Sequence, residues 1–238
     1  MKAKVGAAAL AMAFSGAVFT GGASAGTVNL QNQGDTPFGT PEWARQVAYT
    51  VDGQREDSIA GLFRLEDSDS GKSILAWCVE LLQNLNLPGE YMVNAALPSN
   101  AVKENLDKLF TTSYDMIVND PGNHNSKSNK AAGFQLAIWE IITDTGSDDG
   151  LDLTNGDFIV LTGQGNTPSG VINNANAYLN RLNNATDQDY TYTYFNSDES
   201  QDLISAEETV AAVPVPAAGL LLLSGLAGFA AMRRRRKS

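Results

Sequence analysis

The sequence predicts an α+β fold: a single domain of β-strands, in a sandwich or barrel-like arrangement, with helical insertions. Short alternating or apolar segments bounded by turn residues are typical of strands, and longer segments with apolar residues three and four positions apart are typical of helices. The two kinds of segment are interspersed rather than strictly alternating, which favours α+β over a parallel α/β sheet. Between two atypical ends the body has about 187 residues, enough for one domain with a substantial core.

The first part of the body is predicted to be mainly strands. Residues 26–44 are polar and contain prolines and glycines, so we expect an irregular lead-in. Strands are expected at 45–51 and 59–65, around an Asp-Gly turn. The apolar run at 73–82 predicts a buried strand that contains the only cysteine of the chain.

Three helices are predicted after this. The first begins after Ser99, and the second runs from about residue 129 to 143, after a polar loop. The third has Thr167 as its expected cap and Pro168 at its first position, because proline tolerates the first helical turn.

The end of the body is predicted to be a strand followed by a linker. Residues 189–195 carry three tyrosines at strand spacing, which predicts one half-buried face rather than a stacking platform for sugars. Residues 196–212 are acidic and predict a linker. The expected division is therefore a globular domain at 26–195, a linker at 196–212 and separate segments at 1–25 and 213–238.

The charge distribution and the Cys and His counts exclude several classes. The chain has 16 basic and 27 acidic residues; its two ends hold seven of the basic residues and no acidic ones, which leaves 9 against 27 in the body. Such a body repels phosphate backbones, so no nucleic-acid partner is expected. One Cys and one His exclude a Cys/His zinc cluster and a disulfide framework. We expect no cofactor.

Residues 1–25 have the pattern of a secretory signal peptide. Two lysines precede an apolar stretch, and Ala23 and Ala25 form the small-x-small pattern that signal peptidase accepts. The alternative is an N-terminal membrane anchor, but the stretch is short and rich in glycine. We therefore expect cleavage after Ala25 and export.

The last segment, 213–238, predicts a transmembrane helix. An uncharged apolar stretch is followed at once by four arginines and a lysine, so the positive-inside rule leaves this tail in the cytoplasm and the body outside. The segment begins with Val213, Pro214, Val215, Pro216 and Ala217. Its basic cluster begins with Arg233, Arg234, Arg235 and Arg236.

This tail resembles the VPLPA variant of the PEP-CTERM sorting signal, with Val215 where the name has Leu. The resemblance implies recognition by an exosortase in the inner membrane of a Gram-negative bacterium. An inner-membrane-tethered intermediate would then be released or transferred to the cell surface or extracellular matrix. The alternative is an ordinary single-pass anchor.

A glutamine in the second helix and the lone cysteine suggest covalent chemistry. Gln135 lies in a segment that is apolar nearly all round, and burying an unpaired amide costs about 1–3 kcal/mol. Attack of the Cys78 thiolate on the Gln135 side-chain carbonyl would expel ammonia and form an internal thioester, which an amine or hydroxyl can open. Apolar neighbours are expected to keep water from the bond. These are Trp77, Phe134, Ala137, Ile138 and Trp139.

Both segments resemble the thioester domains of bacterial surface adhesins, known by a TQxAIW motif. Trp77-Cys78 matches the aromatic-Cys pair, and residues 135–139 match the motif, with Phe134 in place of its Thr. The resemblance implies covalent adhesion to a surface or matrix ligand that bears an amine or hydroxyl. Beyond self-catalysed bond formation, no enzymatic activity is expected. In the alternative interpretation Gln135 is a satisfied core amide and Cys78 a small buried hydrophobe in a structural matrix protein.

Two weaker patterns remain. A hydrolase would need Cys78 with His124, but no convincing acid–base pair is present. The acidic stretch after the second helix offers oxygen ligands for Ca²⁺, without the EF-hand spacing. The candidate ligands are Asp148, Asp149, Asp152 and Asp157.

Overall fold

A barrel, a small sheet and a layer of helices make up the fold. The computed structural model describes residues 26–93, 99–185 and 190–208, and the structural statements below concern these ranges. The strands are β1 (Thr27–Asn32), β2 (Ala44–Val51), β3 (Gln54–Gly61), β4 (Phe63–Asp67), β5 (Ser73–Cys78), β6 (Gly89–Val93), β7 (Phe158–Val160), β8 (Tyr190–Asn196) and β9 (Leu203–Glu208). The helices are α1 (Asn100–Ser113), α2 (Asp115–Val118), α3 (His124–Asp144) and α4 (Ser169–Arg181), followed by a 3-10 turn at Leu182–Asn184.

Six strands close into an antiparallel barrel in the order β1-β4-β5-β9-β8-β6. Closure pairs every strand on both sides, so the barrel has no free edge along which chains would pair. The sequence predicted either a sandwich or a barrel-like arrangement, and the structure has the barrel. The predicted α+β class is confirmed.

A separate three-stranded sheet has the order β3-β2-β7. The β2–β3 hairpin turns at Asp52 and Gly53, whose φ angles of 50° and 75° are the left-handed values that a tight hairpin turn requires. The predicted turn is therefore confirmed. The predicted strand at 59–65 is divided: the chain passes from the small sheet to the barrel between Gly61 and Phe63. A side chain at Gly61 would collide with the Trp43 carbonyl oxygen, so only glycine fits this crossing.

Helix α3 is the centre of the helical layer. It packs against α1 and α4 on one side and against β2, β3 and β5 on the other. A Cβ atom at Gly133 would lie 2.8 Å from the Asn174 Cβ and 2.9 Å from the Val171 carbonyl oxygen of α4. The absence of a side chain at this position therefore allows the two helices to pack closely, which buries α3 from Ala131 to Ile141.

Two segments that the sequence analysis expected to be irregular each contain a strand. The predicted linker at 196–212 contains β9, which pairs with both β5 and β8 in the barrel, so the domain extends at least to Glu208. The predicted lead-in at 26–44 contains β1, which pairs with β4 and β6. Both segments are polar overall, but each strand contributes backbone hydrogen bonds to the barrel and buried apolar side chains to the core, namely Leu30 in β1 and Leu203 and Ile204 in β9.

Two helix boundaries also differ from the prediction. Helix α3 begins at His124, inside the expected polar loop, because the Asn123 side chain accepts a hydrogen bond from the Ser126 N–H and caps it. Thr167 does not cap α4. Its hydroxyl donates to the Ala48 carbonyl and accepts from the Ala48 N–H, at 2.9 Å each, and so joins the start of α4 to β2.

The signal-peptide and sorting-signal predictions at 1–25 and 213–238, including the expected transmembrane helix, lie outside the described residues. Among the helices of the described ranges, none has the length and apolar character needed to cross a membrane.

Candidate functional site

The carboxamide of Gln135 lies directly against the backbone of Cys78. The Cys78 N–H donates to Gln135 Oε1 at 2.9 Å, and Gln135 Nε2 donates to the Cys78 carbonyl oxygen at 2.7 Å. Both residues are buried. The structure therefore brings together the two residues of the predicted cross-link, 57 positions apart in the chain.

The end of strand β5 explains this contact. The Val79 N–H donates to the Asp202 carbonyl on the β9 side, and backbone groups of successive residues in a strand point to opposite sides. The N–H and C=O of Cys78 therefore point toward β4. Strand β4 begins at Phe63, opposite Ala76, and so does not reach Cys78. The Gln135 carboxamide takes the place of the missing strand partner.

The Cys78 thiol is held away from solvent in a protonated state. Its Sγ donates to the Glu80 carbonyl oxygen at 2.7 Å. Burial raises the pKa of the thiol to about 12, whereas a backbone hydrogen bond at Glu80, and after it the nearby Trp139 side chain, act to lower the pKa. Cys78 therefore carries its proton near neutral pH, which protects the free thiol from oxidation.

An aromatic group from three elements packs near the thiol. The Trp139 ring lies 5.3 Å from the Tyr49 ring and 6.2 Å from that of Phe158, measured between centroids. The Tyr49 hydroxyl donates to the Leu81 carbonyl at 3.5 Å, and burial raises its pKa to about 12. Sequence reasoning missed Tyr49, since in β2 it is one of several alternating residues with no local sign of a nearby cysteine.

The expected apolar pocket is divided between the two faces of β5. Side chains alternate along a strand, so Trp77 and Cys78 point in opposite directions. Trp77 packs on Phe134, with ring centroids 4.6 Å apart, and Phe134 also contacts Phe110 and Tyr178. These rings form the core between barrel and helices. Trp77 and Phe134 therefore pack on each other in this core, on the face of β5 opposite to the Cys78 side chain. Ala137 and Ile138 are buried in α3.

His124, the second residue of the weaker hydrolase pattern, does not lie near Cys78. His124 is exposed in the first turn of α3. Its eleven-residue separation from Gln135 corresponds to about 16 Å along a helix, which separates it from the thiol. The Cys78–His124 arrangement that a hydrolase would need is therefore not formed, in agreement with the sequence analysis, which disfavoured it.

The four aspartates considered for Ca²⁺ are all exposed; they are Asp148, Asp149, Asp152 and Asp157. The Asp152 carboxylate accepts hydrogen bonds from the N–H and hydroxyl of Thr154 in its own turn. In the part of the chain that the structure describes, no three acidic, His or Cys side chains gather in a way that could hold a metal ion.

The tyrosines of β8 pack against α1. Tyr190 contacts Tyr114, and Tyr192 contacts Phe110, with centroid distances of 5.3 and 5.2 Å. They form the half-buried face that the sequence predicted.

The chain has a distant likeness among solved structures. No protein-family model matches the chain, and no curated protein is similar to it. Among solved structures, the chain is similar to the N-terminal domain of the Streptococcus pyogenes pilus tip adhesin Cpa. The likeness has 17% sequence identity and a TM-score of 0.40, and it covers 63% of this chain and 85% of that chain. At this score it carries no inference about function.

Proposed function

We propose that this chain is an exported surface or extracellular-matrix protein that attaches covalently to a partner through an internal Cys78–Gln135 thioester. The observation that carries the proposal is the pair of hydrogen bonds, 2.9 and 2.7 Å long, that hold the Gln135 carboxamide on the Cys78 backbone. Sγ is two bonds from the Cα between these backbone groups, and in this proposal rotation about Cα–Cβ would turn the sulfur from the Glu80 carbonyl toward the carboxamide carbon.

The Cys78 N–H supplies electrostatic help for bond formation. When sulfur adds to the carboxamide carbon, negative charge develops on Oε1, the atom that this N–H already contacts. A backbone donor placed where charge develops lowers the barrier of acyl transfer, as in oxyanion holes. The Sγ–Cδ bond forms, the Cδ–Nε2 bond breaks, and the thiol proton leaves with ammonia.

The thioester stores an acyl group for an outside nucleophile. An amine or hydroxyl on a surface or matrix ligand would bond to the Gln135 carbon and release the Cys78 thiol. Burial of both residues keeps water away until that ligand arrives. The chain comes to the surface directly after β5, where Glu80 is half-buried and Leu82 is exposed. In this proposal the ligand would approach the bond past this segment.

Delivery to the surface rests on the two terminal segments. Signal peptidase would cleave after Ala25, and an exosortase would process the tail from the inner membrane. Deletion of Arg233–Lys237 should impair membrane retention and processing. Unchanged processing and surface delivery in fractionated cells, compared with a chain deleted only of Ser238, would contradict the sorting proposal.

A second candidate is a structural matrix protein without bond chemistry. It is favoured by the same geometry: both polar groups of the Gln135 amide are satisfied by Cys78, and the thiol is satisfied by the Glu80 carbonyl. A buried amide with its bonds made needs no further explanation. In this case the Cys78 thiol stays free, and the role of the protein in the matrix depends on the negative charge of its surface.

Intact mass distinguishes the two candidates. The thioester form should be lighter than the calculated chain by one ammonia, and Cys78→Ala or Gln135→Ala should remove this deficit. Cys78→Ser is the matched control, because its hydroxyl keeps the shape but is a poorer nucleophile. A measured mass equal to the calculated mass, together with one titratable thiol in fresh buffer free of amines, would contradict the thioester proposal.

A further inference from the structure

Two tryptophans near Cys78 have buried indole N–H groups without a hydrogen-bond acceptor of good geometry among the described residues: Trp77 and Trp139. A buried donor that has exchanged water for no partner lowers stability, and such groups are uncommon in folded proteins. Each of these indoles therefore calls for an explanation, and their positions differ.

Trp139 is on the same side of the site as the reactive atoms. It follows Gln135 by one helical turn, so the two side chains lie on one face of α3. Its ring contacts Tyr49, and its N–H is near enough to the Cys78 thiol to favour the thiolate. Trp77 points to the other face of β5 and packs on Phe134.

The donors and acceptors around the reacting atoms are unevenly distributed. Gln135 Oε1 already has a donor in the Cys78 N–H. The protonated thiol donates to the Glu80 carbonyl, which has no hydrogen to offer a thiolate, whereas a backbone hydrogen bond at Glu80 and the Trp139 side chain both lower the pKa of the thiol. Trp139 is therefore a side chain that can donate to a negatively charged sulfur, and its N–H makes no hydrogen bond of good geometry among the described residues.

We propose that the Trp139 indole N–H is the hydrogen-bond donor to the Cys78 sulfur whenever that sulfur carries negative charge. This inference rests on the proposed thioester function. In thioester formation the charged sulfur is the nucleophile. In opening by an amine, the nitrogen bonds to the Gln135 carbon, the Cδ–Sγ bond breaks, and the amine proton passes to sulfur, the leaving group. One donor assists both directions because both pass through the same charged atom.

The main test is the rate at which methylamine opens the thioester in the full chain, followed by intact mass. Trp139→Phe removes the N–H and should slow opening about 10- to 100-fold, the effect of losing one hydrogen bond to a charged atom. Trp77→Phe is the matched control: it removes an equally buried and unpaired indole N–H on the opposite face of β5, and opening should keep nearly its wild-type rate.

A second variant guards against misfolding. A 3-benzothienylalanine at position 139 keeps the shape of the indole and replaces its N–H by sulfur, so it should slow opening as Trp139→Phe does. Wild-type opening rates in both variants would overturn the inference and leave the proposed thioester standing. Equal slowing in Trp77→Phe would also overturn it, because packing rather than the donor would then explain the effect.

A third arm does not depend on the thioester. In a Gln135→Ala chain no cross-link can form, and the rate of Cys78 alkylation by iodoacetamide at fixed, mildly alkaline pH reports the thiolate fraction. The position-139 isostere should lower this rate about tenfold. An absent ammonia deficit in the wild type would sink the proposed function, and this arm alone would then decide whether Trp139 stabilises the thiolate.

Discussion

Two buried polar side chains in the same apolar helix are in opposite situations. Gln135 makes two hydrogen bonds, both to the backbone of Cys78. Glu140, five residues later and also fully buried, has no hydrogen-bond partner of good geometry for either carboxyl oxygen within the described ranges. The difference shows that the helix itself specifies burial, whereas the element packed against each position decides whether a polar group is satisfied.

The surroundings of Glu140 are acidic. Burial raises its pKa to about 8, and the nearby charges of Asp144 and Asp152 add to this, against a lowering contribution from the Asp152 N–H. Glu140 is therefore protonated near neutral pH in the folded chain. The same helix thus contains one polar group that stabilises the fold and one that destabilises it.

The largest expected effect is at Gln135. We expect Gln135→Leu to lower the free energy of unfolding by about 2–6 kcal/mol, because two buried backbone groups of Cys78 lose their partners at about 1–3 kcal/mol each. Urea denaturation measures it in a Cys78→Ala background, where no cross-link contributes. Stability unchanged by the substitution would mean that the two bonds contribute nothing to the fold.

Glu140→Gln should raise the free energy of unfolding, in contrast to Gln135→Leu. The pKa of Glu140 is raised from 4.5 to about 8 on folding. Below pH 4.5 the carboxyl is protonated in both the folded and the unfolded chain and costs no stability. As the pH rises from 4.5 toward 8, only the unfolded chain ionises there, so the free energy of unfolding falls. Gln, which does not ionise, should stabilise the chain by about 3 kcal/mol at pH 7 and by almost nothing near pH 4. Denaturation curves across this range test it. A pH-independent difference between variant and wild type would contradict the assignment.

A smaller effect is expected at Asp144. Its carboxylate accepts from the N–H groups of Asp157 and Phe158 at 3.0 and 3.1 Å, which holds the start of β7. Asp144→Asn leaves one acceptor oxygen, and we expect a loss of about 1–2 kcal/mol, partly offset because removing this charge lowers the pKa of Glu140.

Hydrogen exchange at the amides of Asp157 and Phe158 should report this change directly. Asp152→Asn is the control: it also removes a charge near Glu140, but its exposed carboxylate bonds only within its own turn, so protection of these two amides should not change. Unchanged protection at both amides would show that Asp144 does not hold β7.

Local pattern alone predicted the class of fold, the β2–β3 turn, the helix after Ser99 and the residues Cys78 and Gln135. These features depend on periodicity, on turn and capping residues, and on polar groups in apolar segments, all of which are visible within a few positions. The pairing of Cys78 with Gln135 was suggested by the covalent chemistry that a buried amide and a lone cysteine can share, and by the resemblance of both segments to one family. The hydrogen bonds between them are a fact of the tertiary structure.

Only the tertiary structure decided which distant elements pack against those segments. It made residues 203–208 a barrel strand within a segment that is acidic overall, because their backbone pairs with β5 and β8 and Leu203 and Ile204 are buried in the core. It placed Trp77 and Trp139 on opposite sides of the cysteine and brought in Tyr49 from β2. A sequence records which side chains prefer burial, but not which distant element meets each one.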